Sequence, residues 1–314
     1  MVEQTLLILV GPTAVGKTTL SLRLAQRFNG EIVSADSRLF YRGLDIGTAK
    51  PTVAERTAVP HHFIDICAPD ETLTLAEYQE QAYATIEAIQ RRGRLPILVG
   101  GTGQYVLAVA EGWGIPRVPP RPALRQALQQ LGGPELHRWL HHLDPDKGAE
   151  IHPNNVRRVI RALEVTLVSG RPISHLQRKQ PPPYAICWLG LHREREDLYA
   201  RIDARVDQMV AAGLLNEVKG LQAAGYGRRL PSMSGLGYRQ LLDHLAGELT
   251  LAEAVERIKF ETHRFARQQD TWFRRDDERI AWFDMGDEAV VDGDGGEITA
   301  VFNHVTDFLS GNAA

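Results

Sequence analysis

The sequence predicts an α/β fold, a parallel sheet with a phosphate-type loop and one helical insertion, and three observations carry that reading. Short apolar runs alternate with helical periodicities over the first hundred residues. A glycine-rich stretch, "GPTAVGKT" at 11–18, joins the first run to the first helix, and strand-like segments vanish between 115 and 184. Such alternation implies crossover connections and a parallel sheet, whose functional groups gather beyond the carboxyl ends of the strands.

Each element has a local reason. "TLLILV" (5–10) is an uninterrupted apolar run of strand length, and Lys17 to Phe28 follow as a helix with Leu20, Leu24 and Phe28 on one side. "EIVSAD" (31–36), "HHFIDI" (61–66) and "LPILV" (95–99) read as further strands, with a helix over about 74–92 between the last two. After Gly114, "IPRVPPRP" is a proline-stiffened connector, and strand character returns only at "AICWLGL" (185–191) behind "QPPPY". The core is therefore expected to be 1–114 with 185–314, and 115–184 a helical insertion. Within it, Val156, Val159, Ile160, Leu163 and Leu167 share a helix face that starts near Asn154 and stops at Gly170, flanked by Arg157, Arg158 and Arg161. "LYARIDARVDQMVAAGLLNEVKGL" continues helical, as does about 250–275, before a short strand "IAWF" and an acidic tail.

Composition narrows the class. The 314 residues are 43% hydrophobic, enough for a full core, yet the longest apolar runs fall far short of the ~20 residues of a membrane span. No basic and apolar leader opens the chain, so a cytoplasmic location is expected. Cys67 and Cys187 have no metal-ligand spacing and fit a reducing compartment. The net charge of −3 is unevenly spread: residues 115–185 hold eleven Lys/Arg against five Asp/Glu, whereas 276–314 hold ten acids against Arg279. A basic segment in an acidic chain suggests a local polyanion-binding surface, with solvated helix faces as the plainer alternative.

"GPTAVGKT" satisfies G-x-x-x-x-G-K-[ST] between a strand and a helix, the context that makes it a P-loop and the core P-loop NTPase-like. Its backbone N–H groups and the helix N-terminus converge on phosphate oxygens, Lys17 pairs with the terminal phosphate, and Thr18 holds Mg²⁺. The usual companion, an apolar strand ending in Asp, is missing, because "LPILVGGT" ends in glycines and threonine. Asp36, at the end of "EIVSAD", lies close to the loop instead. It is a metal ligand, a base, or a turn-capping acid, and the residues alone leave the three open.

"GPTAVGKT", "SADS", "GLDIGTAKP", "LVGGTGQY", "HPNNVRRVIRALEV", "GYRQ" and "RQQDTWFR" occur in this order, and the set resembles the tRNA dimethylallyltransferase family from about residue 6 to 275. The resemblance implies transfer of a dimethylallyl group from dimethylallyl diphosphate to the adenosine beside the anticodon. Gly11, Thr13, Ala14, Val15, Gly16, Lys17 and Thr18, with Arg205, would then hold the diphosphate as a leaving group, Mg²⁺ sitting on Thr18. Lys50 is a weaker candidate for the same anion. Asp36 would take the proton from the adenine amine, and Thr102 would lie where donor and adenine meet, with a helix-capping role as its alternative. For the tRNA anticodon stem-loop the resemblance implies Asp36, Ser37, Arg38 and Leu39, the insertion arginines Arg157, Arg158 and Arg161, then Gly237, Tyr238 and Arg239, and finally Arg267, Gln269, Trp272 and Arg274. Two positions depart from the family pattern, Leu39 and Gln268. A small-molecule P-loop kinase would share the loop and sheet but leave the basic insertion and "TWFRR" unexplained. A non-catalytic RNA-binding regulator that uses nucleotide as a switch fits the charge pattern but not the missing Asp on the strand before "GGT".

Overall fold

The computed structural model describes residues 4–286 and 296–311, so the middle of the acidic tail, 287–295, lies outside the described residues. Six strands, β1 (Thr5–Val10), β2 (Gly30–Ser34), β3 (His61–His62), β4 (Leu95–Gly100), β5 (Ala185–His192) and β6 (Ile280–Asp284), form one sheet in the order β3-β2-β4-β1-β5-β6. Every pairing is parallel. β1 lies between β4 and β5, and Leu6 to Val10 are at most 1% exposed, which is why its sequence runs apolar without alternation.

The helices, in chain order, are α1 (Lys17–Arg27), α2 (Val53–Ala58), α3 (Leu75–Arg91), α4 (Gly103–Ala110), α5 (Pro122–Gln129), α6 (Gly133–Leu143), α7 (Pro145–Glu150), α8 (Val156–Ser169), α9 (Ile173–Leu176), α10 (Arg195–Ala211), α11 (Leu214–Ala223), α12 (Tyr238–Leu245), α13 (Leu251–Gln269) and α14 (Glu297–Leu309). Threonine capping boxes start α2, α3 and α13, with Glu55, Glu77 and Glu253 each reaching back to the cap.

Several expectations shift. The strand expected over 61–66 stops after His62, because Phe63 and Asp65 take positive φ (62° and 57°) and turn the chain. The long helix expected over 198–221 is two helices parted at Gly213 (φ 100°). α14 was not anticipated, although Ile298, Val301 and Val305 are buried at helical spacing.

The chain divides into two compact units, one up to Val106 and from Pro183 onward, the other Leu107–Pro182. The smaller unit thus begins inside α4 rather than after Gly114. Its ends are stitched together where Gln180 N donates to Gly112 O (2.7 Å) and Gly114 N to Arg178 O (3.1 Å). It owns a core of Leu128, Leu136, Leu140, Ile151, Val159 and Leu163 among others. Leu167, expected on that face, is 44% exposed, so the buried stripe of α8 ends a turn early. At its centre the fully buried carboxylate of Glu164, in "RALEV", accepts from Arg125 (2.7 and 2.8 Å), Arg161 (2.6 Å) and the Arg121 backbone N–H (2.7 Å). Burial raises its pKa, but those donors outweigh it and hold the group at about 2.

Glu164→Gln leaves two guanidinium groups without their anion. Because both arginines are about a third exposed, the loss should sit near the low end for a broken buried pair, about 3 kcal/mol. In the wild type, the stabilisation is complete above the ordinary carboxylate pKa of 4.5 and is lost as pH falls from there toward about 2. Chemical denaturation at pH 7 and between pH 5 and pH 2 checks both statements; equal stability of variant and wild type at pH 7 would refute them.

Candidate active site at the carboxyl edge of the sheet

Three loops leave the carboxyl ends of β1, β2 and β4. The first wraps the start of α1: Gly11 and Gly16 have φ of 147° and 116°, and Ala14 sits at +64°, a left-handed conformation that side chains rarely adopt. Lys17 Nζ donates to Gly11 O (2.9 Å) and Pro12 O (2.7 Å). Arg201 Nε donates to Ala14 O (3.2 Å) and Arg193 Nε to Val15 O (3.3 Å). Since a trans peptide places C=O and the next N–H on opposite sides, the arginines turn the Val15 and Gly16 amides away from themselves. The same rule sends the Thr13 N–H outward once Pro12 O faces Lys17, and it donates to Gln269 Oε1 (2.8 Å).

Burial pushes the Lys17 ammonium down to about 8, with Asp36 opposing the shift and Arg205 adding to it. Arg205 is likewise lowered by burial while Asp36 supports its charge. Lys17, Asp36 and Arg205 therefore share one electrostatic neighbourhood, two desolvated cations facing one acid. Asp36 also behaves as a turn acid, its Oδ1 accepting from Arg38 N (3.0 Å). Of the three open readings, the turn-capping one is the one the structure shows. Thr18, at the first turn of α1, is exposed. Thr102 is half-buried, and its carbonyl accepts from Tyr105 N (3.0 Å) and Val106 N (3.3 Å), so it opens α4 as the capping alternative required. Tyr105 packs edge-on against Phe40 and Tyr78, and its hydroxyl bonds Ser37 beside Asp36.

The residues expected to face RNA fall into two groups. Arg157, Arg158, Arg239, Arg267 and Arg274 are exposed, and Trp272 is 40% exposed. Arg239 pairs with Glu261, Arg267 donates to Tyr199 OH (2.6 Å), and Arg274 pairs with Asp276 (2.7 Å). Others have hydrogen-bond partners within the protein. Tyr238 is 1% exposed and donates to Glu217 Oε1 (2.6 Å), and the Gly237 N–H goes to Gln240 (3.0 Å). Arg38 donates to Pro231 O (2.9 Å) and Ser232 O (3.1 Å), and Arg161 to Glu164 and Val118 O (2.9 Å). Gln269 is 5% exposed and spent on the loops. Leu39 is half-buried, its backbone bonded to Asp36 O and Asp65 N.

Lys50 likewise has partners within the protein. It bonds Tyr41 O (2.8 Å), Asp45 (2.5 Å) and Asp65 (2.5 Å) with its side chain 3% exposed, a folding contact rather than an anion contact. Its motif "DIGTAKP" is completed by Glu217, whose carboxylate accepts from the backbone N–H groups of Asp45 (3.1 Å), Ile46 (2.7 Å) and Gly47 (3.2 Å). Arg193 and Arg201 are loop-supporting residues that sequence reading missed. The signal for Arg201 was its spacing of four from Arg205 on one helix.

Fold and loop together define a P-loop-type α/β protein, with the loop beyond the carboxyl end of its central strand. A family profile described as IPP transferase matches residues 39–276. The chain is 59% identical over 274 residues to a tRNA dimethylallyltransferase of Roseiflexus sp. (strain RS-1), spanning 86% of this chain and 90% of that one. It is 45% identical over 306 residues to a tRNA dimethylallyltransferase of Dehalococcoides mccartyi, spanning 96% and 93%. Among solved structures, the tRNA isopentenylpyrophosphate transferase of Bacillus halodurans superposes with a TM-score of 0.74 at 43% identity over 99% of this chain and 98% of that one. A eukaryotic dimethylallyltransferase acting on tRNA gives 0.85 at 28% identity, covering 98% of this chain and 80% of that one. The chain belongs to the IPP transferase family and is a prenyltransferase.

The two lysines should separate cleanly. Lys17→Ala should abolish measurable pyrophosphate binding while leaving thermal stability near wild type. Lys50→Met should lower the melting temperature and keep pyrophosphate affinity, as calorimetry on both variants would show; weakened affinity in a folded Lys50→Met protein would restore it to the anion site.

Proposed function

We propose that the chain transfers the dimethylallyl group of dimethylallyl diphosphate to the exocyclic amine of the adenosine 3′ of the anticodon in tRNA. The observation that carries this reading is the meeting of Lys17, Arg205 and Asp36 beyond β1 and β2, cationic toward a departing anion and acidic toward an incoming amine. The adenine nitrogen forms a bond to the allylic carbon as the carbon–oxygen bond breaks, and that electron pair leaves with diphosphate. Lys17, Arg205 and the loop amides stabilise the charge as it develops, in a desolvated place where such groups act strongly. Asp36 receives the amine proton, which makes a weakly nucleophilic nitrogen competent. Thr102, at the head of α4, lies on the loop where the two substrates come together.

The residues fit Mg²⁺. Thr18 offers an exposed hydroxyl at the loop's exit, and Mg²⁺ typically takes one or two protein ligands with the rest from phosphate and water, so a dedicated carboxylate cluster is not needed. Among the described residues no group of three or more His, Cys, Asp or Glu forms such a cluster. When bound there with the donor, the ion supplies further charge stabilisation to the leaving group.

We assign the exposed arginines of the insertion to the anticodon stem-loop and, taken by themselves, the exposed arginines of the α13 region with Trp272. A loop base can be turned out there without opening a duplex. Among the described residues no helix is long and apolar enough to cross a membrane, and the substrate argues for work in the cytoplasm.

Unmodified tRNA with labelled dimethylallyl diphosphate should yield labelled tRNA. Asp36→Ala should lose most of that turnover, at least about 10²-fold for a missing base, with tRNA affinity retained. Label that stays in dimethylallyl diphosphate, or phosphate passed from ATP to a small acceptor, would overturn the reading. A second check uses pH. Lys17 is a cation below about 8 in the free protein, so donor-analogue affinity should weaken as pH rises through that value. Lys17→Arg, always charged, should move the decline out of range; an affinity flat from about pH 7 to about pH 9.5 in the wild type would contradict it.

A further inference from the structure

The turn after α13 reaches into the site from behind. Gln269 Oε1 accepts from Thr13 N (2.8 Å) while its Nε2 donates to Gly101 O (2.9 Å), so one buried amide joins the diphosphate loop to the loop bearing Thr102. Neither flanking glycine has room to spare. A Cβ on Gly101 would stand 2.2 Å from Gln269 Nε2, and one on Gly103 would stand 2.3 Å from the Trp272 ring. Thr102 is therefore held between two contacts made by one four-residue turn. Trp272 N donates to Gln269 O (3.0 Å) inside that turn, and Phe273, 3% exposed, anchors it.

We infer that Gln269 is a positioning residue that sets the distance between the diphosphate loop and Thr102, and hence between the two substrates. The inference rests on the proposed function for the role of Thr102. The amide suits the task because it offers one acceptor and one donor to two different backbone partners, which neither a carboxylate nor an aliphatic side chain can do. Its neighbours in sequence, Arg267 and Arg274, are exposed on either side, so the turn lies between two of the cations assigned to tRNA.

The test compares full-length wild type, Gln269→Leu and the isosteric Gln269→Glu in single-turnover prenyl transfer at saturating tRNA and donor, with tRNA affinity and melting temperature measured in parallel. Gln269→Leu should slow transfer about 10²-fold, the scale of an ångström-sized misplacement, with tRNA affinity within about twofold of wild type. Gln269→Glu should be slow at pH 9 and gain on the wild type as pH falls toward 6, because the protonated carboxyl again donates to Gly101 O. Loss of stability alone would produce no such recovery. Wild-type rates in both variants would overturn the inference, as would weakened tRNA affinity with an intact transfer rate, or a Gln269→Glu rate that tracks the wild type at every pH. No transfer by the wild type would instead defeat the proposed function and this inference with it.

Discussion

A half-buried ammonium, Lys17, governs this molecule. The hydrogens of Lys17 are given to two carbonyls of its own loop, and those bonds supply no negative charge. The acid in the neighbourhood, Asp36, is shared with Arg205. Burial is what lowers the lysine pKa, with Asp36 opposing it and Arg205 adding a smaller push in the same direction. A site so built is matched to an anion that gains charge during the reaction, better than to one whose charge is constant.

The loop can keep that ammonium only because its peptides are fixed from outside. Arg193, Arg201 and Gln269 take hold of Val15, Ala14 and Thr13 respectively, three consecutive residues gripped from three directions. The left-handed Ala14 lies in the middle of them. Strained backbone at a working site persists when its surroundings over-determine it, and here the surroundings can be named.

Much of this was legible in the sequence, for reasons that differ by element. β1 and α1 were plain because a buried central strand has no alternation and a glycine-rich loop has a fixed form. The insertion was visible as a gap in strand character, though its boundary in α4 was hidden because the closing bonds at Gly112 and Gly114 are made by backbone atoms. The structural partners of Tyr238, Gln269 and Lys50 were hidden for one shared reason: a polar side chain in a diagnostic motif looks functional until its partner is known, and those partners, Glu217, Thr13 and Asp65, lie far off in the chain or across a turn. Burial is a property of the fold, and spacing alone does not disclose it. Motifs such as "DIGTAKP" and "RALEV" mark the family by how they fold, each built round a carboxylate.

The smaller unit has its own hydrophobic interior and its own ionic keystone in Glu164. Arg157 and Arg158 stand on the outside of that keystone's helix and contribute nothing to it. Changes at those two places are therefore thermodynamically cheap, so the outer face of this helix is free to vary in charge while the unit's architecture stays put.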